Sequence, residues 1–543
     1  MPVPRAPDTP VGQRPLKFYI RDYGGINRNV PRHSLRDDQQ FWMENLMPVS
    51  PANLRGMYSE GAAIFNAGSK TIVNVYFYNL SSNPFAIMFF SDGTATQVNT
   101  STGVTVTVSN VANTFFTGGT LPVAAQWNAT GIVITSEASA NAFWAWDGTT
   151  LTTQPSNGPT WLTNGATTAM PAGLHGSAIE VYQNRVWITT PPSVALTTPS
   201  AVLHNSAPSN GADFLTADGA GATPQQDSSL RFVFNALRQS NGFLYLLGDS
   251  NISAVSNVQT GGSPVVTTYS NQNLDPQTGC TWQNTAQLYG QALIFANQQG
   301  VYLLNGGIVQ KISFELDRMF AQANFSVVPS AAVAMIFGVK CYLLLMQVPD
   351  QNNSPRNVIL LWNTQKWWVG SQINQNISQI YTQEFNGVMT AWGCDGKNLI
   401  PLFQVPSINL QKIIQSKFWH GGQDDDSFII FKKAYRFYYE VQDYSGLGFT
   451  LNGTIDAEAG ATTLSLAAQP GLIIFVNSTN GVITFTNGAG GAINWQVGGN
   501  STNASDVAAY GLHLGYTFTA VGSDFALGAM ALLYSEDVMM LGG

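Results

Sequence analysis

Short apolar runs, each followed by a turn-forming Asp or Asn, recur along the chain from about residue 61 to residue 405. The runs are rich in aromatic and β-branched residues, and runs of this length bounded by turn residues are typical of strands. The runs lie at 72–78, 86–90, 143–146, 186–188, 243–247, 301–304 and 358–362. Few segments are predicted to be helical, and the best candidate lies around residues 316–323. The apolar stretch 331–346, interrupted by Gly338 and Lys340, predicts two buried strands joined by a turn.

The turn points that separate these runs have a loose period. They are Asp92, Asp147, Asn205, Asp249, Asn305, Asn363 and Asp395. Successive points are 55, 58, 44, 56, 58 and 32 residues apart, and several spacings lie near the roughly 50-residue period of β-propeller blades. Each blade is a small antiparallel sheet that hides its faces only by stacking on neighbouring blades. The pattern therefore predicts an all-β protein with an irregular β-propeller over residues 61–420.

The two ends of the chain have a different character. Residues 1–60 begin with prolines at positions 2, 4, 7, 10 and 15 and continue as charges between aromatic anchors, which predicts an arm that packs on something else. The pattern changes again near residue 420, after which short strands alternate with Gly and Asn turns. We predict a C-terminal β-domain over 421–543 that packs with the N-terminal segment as a β-rich platform.

Charge is scarce and unevenly placed. Charged residues make up 10% of the chain and the net charge is −8, so the basic footprint of a nucleic-acid-binding protein is absent. Residues 1–60 carry eight basic and six acidic residues, or +2, and the remainder carries 15 and 25, or −10. A surface with so few charges is buried against copies of itself at a small desolvation cost, which favours an oligomer.

The sequence offers little catalytic chemistry. Motifs of the types GxxxxGK, HExxH and GxSxG do not occur, and the three cysteines have no paired spacing, so they are predicted to be core residues. The five histidines are scattered and are predicted to be surface or packing residues. The run Asp424-Asp425-Asp426 is either a Ca²⁺ site or, as we favour, a solvated acidic turn. We predict no catalytic, metal or cofactor-binding residue and no cofactor. The histidines are His33, His175, His204, His420 and His513.

Tryptophans pose a separate question, because exposed aromatic rings stack on sugars or bases. Trp144 and Trp146 share one face of a strand, which favours a position in the blade core. Trp367 and Trp368 lie on opposite faces, which predicts that one of them is exposed.

The N-terminal stretch lacks the apolar run of a signal peptide.

Four passages in order resemble the propeller tail proteins of short-tailed bacteriophages, a family that includes the tail nozzle or tubular tail protein and the packaged-DNA stabilisation (tail hub) protein. The likeness spans about residues 180–370. The passages are 182–188, which reads YQNRVWI; 241–249, which reads NGFLYLLGD; 292–302, which begins ALIFAN; and 361–368, which contains LWN and KWW.

This resemblance implies a structural role in a virion, assembled in the host cytoplasm, and no enzyme. Six copies would form a ring that docks on the portal and adaptor and carries tail fibres or spikes. Packaged double-stranded DNA would leave through the ring without sequence-specific binding, because a net-negative lumen repels phosphate. The residues predicted to contact the adaptor or a neighbouring copy in the oligomer are Phe18, Tyr19, Arg21, Arg28, Phe41 and Trp42. The alternative is a receptor- or glycan-binding propeller of the same virion, which cuts glycans in its enzymatic form.

Overall fold

The computed structural model describes residues 16–537, apart from 21, 51–52, 120, 140, 191–200, 226–233, 421–429, 446–447, 458–461, 469–470, 473–474, 477–481, 484, 487–491, 494–495 and 498–499. Arg21, the proline-rich start and the acidic run at 424–426 lie outside these residues. Within the described part, no helix has the length and apolar character needed to cross a membrane.

Strands dominate the first half of the chain. They are β1 (Leu16–Ile20), β2 (Gln40–Glu44), β3 (Leu46–Ser50), β4 (Asn53–Gly56), β5 (Phe65–Asn66), β6 (Ile72–Leu80), β7 (Asn83–Phe90), β8 (Ala95–Asn99), β9 (Thr105–Ser109), β10 (Val123–Trp127), β11 (Gly131–Thr135), β12 (Phe143–Trp146), β13 (Leu151–Thr153), β14 (Ala178–Tyr182), β15 (Arg185–Thr190), β16 (Val202–Asn205), β17 (Gly221–Pro224), β18 (Phe234–Ser240), β19 (Phe243–Gly248), β20 (Ile252–Gly261) and β21 (Val266–Asp275).

The second half continues in the same way. Its strands are β22 (Gln287–Tyr289), β23 (Ala292–Asn297), β24 (Gly300–Asn305), β25 (Ile308–Lys311), β26 (Ser330–Ile336), β27 (Val339–Pro349), β28 (Pro355–Trp362), β29 (Trp367–Gly370), β30 (Gln379–Phe385), β31 (Val388–Cys394), β32 (Asn398–Pro401), β33 (Lys412–Ser416), β34 (Phe431–Asp443), β35 (Phe449–Asp456), β36 (Thr462–Ala468), β37 (Gly471–Leu472), β38 (Phe475–Val476), β39 (Val482–Ile483), β40 (Phe485–Thr486), β41 (Ala492–Ile493), β42 (Gln496–Val497), β43 (Asn500–Gly511), β44 (Gly515–Val521) and β45 (Phe525–Asp537). The helices are α1 (Thr160–Thr163) and α2 (Asp317–Ala321), with 3-10 turns at Arg32–Ser34, Gln283–Thr285 and Phe314–Leu316.

The chain divides into two compact units. The propeller unit comprises Glu60–Ile359 and Asn374–Leu402, and the terminal unit comprises Met1–Ser59, Leu360–Ile373 and Phe403–Gly543. The three segments predicted from the sequence, 1–60, 61–420 and 421–543, stay a prediction about folding units. The contacts group the first and the last of these segments together.

The propeller unit consists of small antiparallel sheets that follow one another along the chain. Among the described residues, β6–β9, β10–β13, β14–β17, β18–β21 and β22–β25 each form a four-stranded blade, and the hairpin β26–β27 follows with β28 beside it. The last blade, β30–β32, is completed by β5, whose Phe65 and Asn66 pair with Leu399 and Asn398. A strand from before the first blade thus closes the ring. The predicted all-β fold with an irregular propeller and an additional β-rich unit is confirmed.

Apolar side chains between neighbouring blades form the cores of the ring. Trp144 and Trp146 on β12 pack with Phe89 of the first blade, and all three are buried, as the period-two spacing predicts. The core that joins the last blade to the first contains Trp392 and Phe90. Because apolar burial contributes about 25 cal/mol per Å², these shared cores make each blade dependent on its neighbours.

The turn points explain why the spacing along the sequence is irregular. Asp92, Asp249 and Asp395 follow the second strand of their blades, whereas Asp147 follows a third strand and Asn305 ends one. Asn205 ends a third strand and Asn363 follows the strand β28. The two short spacings, 44 and 32 residues, are those in which the turn point moves from after a third strand to after a second one.

The terminal unit contains two larger sheets. One has the order β3-β4-β45-β34-β43 with β1 also on β45, and the other contains β29-β2-β33-β44-β35-β36. Its core is aromatic, with Phe437 packed on Tyr516 and Phe518 at ring-centroid distances of 5.9 and 5.1 Å. Strands from both ends of the chain therefore share sheets within one unit.

Smaller predictions have mixed outcomes. The helix α2 and the strand pair β26–β27 occupy the predicted places. The three cysteines are free and buried, as predicted. The prediction that Trp367 or Trp368 is exposed is wrong, since their exposures are 2% and 0%. Strand β29 lies between neighbours and is covered on both faces, a situation that alternation along one strand does not reveal.

Candidate functional site

The residues predicted to contact the adaptor pack mostly inside the terminal unit. Phe18 stacks between Trp419 and Tyr534, at 5.0 and 4.5 Å between ring centroids. Trp42 is fully buried, and its Nε1 donates a hydrogen bond of 2.9 Å to a carboxylate oxygen of Glu44. These aromatic rings are anchors between the two ends of the chain.

The remaining predicted contact residues differ in exposure. Arg28 is 5% exposed and its guanidinium lies 4.0 Å from the centre of the half-buried Phe41 ring. Tyr19 is 49% exposed and borders a groove of about 220 Å³ that Tyr438 and Met530 also line. Of the described members of the set, Tyr19 is thus the one placed to meet a partner, and the docking role stays a prediction.

Two arginines of the N-terminal segment form ion pairs within the terminal unit. Arg55 Nη2 contacts both carboxylate oxygens of Asp524, at 2.9 and 3.1 Å. Arg32 Nη2 donates to Asp456 at 2.6 Å. Two of the cations that give residues 1–60 their excess positive charge therefore form ion pairs within the terminal unit.

The propeller unit holds a central cavity of about 550 Å³. Its wall comes from the innermost strands β6, β10, β14, β18, β22 and β30 and the 3-10 turn before β22. Side chains of these strands converge on the axis because the first strand of every blade faces the centre of the ring. The geometry places polar residues from several distant parts of the sequence around one space.

Carboxamide side chains in the wall are engaged in hydrogen bonds between blades. Gln126 Nε2 donates to the Asn79 carbonyl at 2.8 Å, and Asn74 Nδ2 donates to the Pro122 carbonyl at 2.8 Å. Gln287 Nε2 donates to the Ala331 carbonyl at 3.0 Å. This ring of amide bonds satisfies buried polar groups and fixes the inner strands to one another.

A carboxylate and a guanidinium face the same cavity. Glu180 lies on β14 and Arg238 on β18. Burial raises the pKa of Glu180, and the charge of Arg238 partly offsets that rise. Arg238 donates through Nε to the Ala286 carbonyl at 3.0 Å and through Nη1 to the Leu237 carbonyl at 2.9 Å. Within the described residues, Arg238 Nη2 has no hydrogen-bond partner.

Tyr76 completes this group. Burial raises the pKa of its phenol well above the usual range, the negative charge of Glu180 adds to the rise, and Arg238 opposes it. Tyr76, Gln126 and Glu180 also line a second cavity of about 520 Å³, which continues toward Tyr182 and Gly242. Glu180 therefore stands where two cavities meet in an extended polar cleft.

Glu180, Arg238 and Tyr76 were not predicted as site residues from the sequence. One signal was present: residues 61–230 hold only seven acidic residues, and Glu180 is the one that the described part of the structure places inside a strand, between Ile179 and Val181. A lone charge within an apolar strand points to a satisfied or functional group. The strand that carries the partner of Glu180 is set by the order of the blades around the ring, and this order is not visible in the sequence.

Three of the histidines, which are scattered along the sequence and were predicted to be surface or packing residues, come together in the terminal unit. The ring centroids of His33, His420 and His513 are separated by 5.2 to 6.4 Å. Burial and the neighbouring His513 lower the pKa of His420. Over the part of the chain that is described, no three His, Cys, Asp or Glu side chains are arranged to hold a metal ion.

The fold defines the chain as a β-propeller protein with an additional β-rich unit. No family model matches the sequence, and no curated protein matches it either. Among solved structures, the extracellular domain of a two-component system protein from B. thetaiotaomicron is 12% identical, with 78% of this chain and 51% of that chain covered and a TM-score of 0.30. This chain thus spans about half of that structure.

Two other similar structures cover more of their own length. BamB from Moraxella catarrhalis is 11% identical over 62% of this chain and 100% of that chain, with a TM-score of 0.30. The Trypanosoma rangeli sialidase is 10% identical over 96% of both chains, with a TM-score of 0.25. Similarity at this level carries no argument about function.

Proposed function

We propose that the chain is a structural subunit of the ring-shaped tail nozzle of a short-tailed bacteriophage. In this role, six copies dock on the portal and adaptor complex and carry tail fibres or spikes. They retain the packaged double-stranded DNA and provide its exit channel during ejection. Two features support this role. Residues 180–370 resemble the propeller tail proteins of short-tailed bacteriophages, and the two ends of the chain pair with each other.

Pairing between the ends of the chain is the observation that carries this proposal. Strand β1 lies antiparallel to β45, with Phe18 opposite Leu532, and β2 lies antiparallel to β33, with Met43 opposite Ile414. A platform built from both chain ends is what the resemblance implies for adaptor docking. The exposed Tyr19 and its groove offer this platform a place to meet a partner, since aromatic side chains concentrate binding energy at interfaces.

The charge of the chain supports the same role. A net charge of −8 at 543 residues makes a ring of six copies strongly negative, so that phosphate in the lumen is repelled and DNA slides. The charged fraction of 10% is low against the roughly 25% of ordinary soluble proteins. Permanent contacts between copies suit such a surface, because few charges must lose water when the ring forms.

Ring formation is the direct test. The purified full chain is expected to give six-fold rings in negative-stain images and a native mass near six times 58.4 kDa. Replacing the exposed Tyr19 with Ala should leave the rings intact and weaken their binding to adaptor-loaded heads at least tenfold, as expected for the loss of an aromatic hot spot. A stable monomer at high concentration that does not bind such heads would contradict the proposal.

The proposed role also involves no hydrolysis. Purified protein incubated with host surface glycans or peptidoglycan is expected to release no soluble sugar above the buffer control. Glu180 and Glu384, which both line the central cavity, are the carboxylates to examine, because glycosidases use pairs of them. Sugar release by the wild-type protein that is lost in Glu180→Gln or Glu384→Gln would show that the chain is an enzyme.

A further inference from the structure

We infer that the cleft at the centre of the propeller unit binds a neutral glycan chain across Glu180 and Arg238. This inference goes beyond the proposed structural role and does not depend on it. The cleft combines two adjoining cavities of about 550 and 520 Å³ that share Tyr76, Gln126 and Glu180. Each volume falls in the range of roughly 300–1,000 Å³ that is usual for small-molecule sites, so an extended ligand fits better than a single small one.

The charges in the cleft select the class of ligand. Glu180 and Arg238 line the same cavity, and the guanidinium counters part of the effect of burial on the carboxyl group. Glu384 adds a second carboxylate to the wall, so the cleft presents one cationic donor and two acceptors and disfavours an acidic ligand. A hydroxyl group accepts from a guanidinium and donates to a carboxylate at once. Neighbouring hydroxyl groups of a sugar can therefore use both side chains without leaving either charge unpaired.

Both side chains keep hydrogen-bonding capacity for such a ligand. Arg238 uses Nε and Nη1 on backbone carbonyls, which fixes the guanidinium plane and leaves Nη2 for the cleft. Glu180 Oε1 accepts from the Val181 amide at 3.1 Å, which orients the carboxylate. Groups held in place before binding lose little freedom when the ligand arrives. Tyr76 adds a ring, an apolar surface of the kind on which sugars stack.

A peptide is the less suitable occupant. Extended peptides bind propeller and sheet edges by pairing with free backbone N–H groups. On the inner strands, several of these groups are already bonded to side chains. The Val75 amide donates to Asn74 Oδ1 at 3.0 Å, the Asn79 amide donates to Gln126 Oε1 at 3.2 Å, and the Val181 amide donates to Glu180. Strand addition along β6 and β14 is therefore disfavoured, because these amides already have partners.

The test uses the full chain on an array of neutral and acidic bacterial-surface oligosaccharides, printed beside a set of decapeptides. The strongest oligosaccharide is then titrated calorimetrically. We expect a neutral oligosaccharide to bind, and we expect Glu180→Gln and Arg238→Gln each to weaken its binding at least tenfold. Tyr76→Leu, which replaces the aromatic ring with an aliphatic side chain, should weaken it severalfold and serves if a charge variant does not fold.

Matched controls make the same chemical changes outside the cleft. Glu315→Gln and Arg318→Gln alter residues at the start of α2 and in the turn before it and should leave the affinity unchanged. All variants are compared by thermal unfolding. The inference is overturned if no oligosaccharide binds above background, if the cleft variants bind as the wild type does, or if decapeptides or acidic glycans bind in preference. Ring formation, measured separately, is unaffected by any of these results.

Discussion

Replacing Arg32 with Met is expected to destabilise the terminal unit by roughly 3 kcal/mol, as is usual when one partner of a largely buried ion pair is removed. Arg32 Nε donates to the Ser416 carbonyl at 2.6 Å, and Nη2 donates to Asp456 at 2.6 Å and to the Tyr516 carbonyl at 3.1 Å. The guanidinium also lies 4.0 Å from the centre of the Phe418 ring. Equilibrium urea unfolding of the full chain, followed by tryptophan fluorescence, measures the loss.

The size of this effect comes from the groups that Arg32 leaves behind. The Asp456 side chain is 20% exposed, so water replaces the lost cation poorly, and the two carbonyls lose a charged donor. Burial lowers the pKa of Arg32, and Asp456 partly restores it, which shows that the cation depends on its partner.

Two comparisons test this explanation. Arg36→Met removes a cation whose side chain is 68% exposed and pairs locally with Asp38, so it should cost less than about 1 kcal/mol. Arg32→Lys should recover less than half of the loss, because one ammonium group cannot reproduce the fork that reaches three acceptors. Equal unfolding midpoints for wild type and Arg32→Met would show that the ends are held together by packing alone.

The sequence predicts the propeller because its signals are local. An Asp or Asn at a turn acts on backbone groups within a few residues: Asp147 Oδ1 accepts from the Thr149 and Thr150 amides at 2.8 and 2.7 Å. Such local contacts produce a recognisable Asp or Asn turn in the sequence of a blade. The turn can follow either the second or the third strand of a blade, however. This variation gives unequal spacings along the sequence, although the described residues of the propeller unit form six four-stranded sheets and the β26–β28 group.

Pairing between the ends of the chain and the polar cleft are decided by contacts across hundreds of residues. The charges of Arg32 and Arg55 are visible in the sequence, but nothing local says that their partners are Asp456 and Asp524. Because these internal partners are not evident from the sequence, the charges of Arg32 and Arg55 suggested a partner outside the chain. Likewise, Glu180 meets Arg238 only because ring closure turns both inner strands toward one axis, and a single sequence without its fold does not contain that juxtaposition.

A buried lysine in the terminal unit is expected to make stability rise with pH. Lys412, at the start of β33, is 0% exposed, and its Nζ donates to the Ser407 and Gly522 carbonyls at 2.6 and 2.8 Å. Burial lowers the pKa of Lys412 to about 8, and the charge of Asp524 offsets only part of that effect. Two carbonyl acceptors are thus insufficient to replace the water that the ammonium group loses.

The sign of the pH dependence follows from proton binding. An unfolded lysine has a pKa of about 10.4, so between pH 8 and pH 10.4 the unfolded chain binds more protons than the folded one. The free energy of unfolding then increases with pH. Over the whole interval Lys412 contributes a gain of roughly 3 kcal/mol, since each pKa unit corresponds to about 1.36 kcal/mol.

The measurement compares the wild type with Lys412→Met in urea at pH 7, 8.5 and 10. Subtracting the two unfolding free energies at each pH cancels the contribution of the buried tyrosines, which are present in both proteins. The difference should move in favour of the wild type by about 2 kcal/mol between pH 8.5 and pH 10. Lys433→Met, at an exposed position of β34, controls for the loss of an ammonium group that stays in water. A difference that is constant from pH 7 to pH 10 would mean that Lys412 remains charged in the folded protein and that the two carbonyls and Asp524 fully compensate its burial.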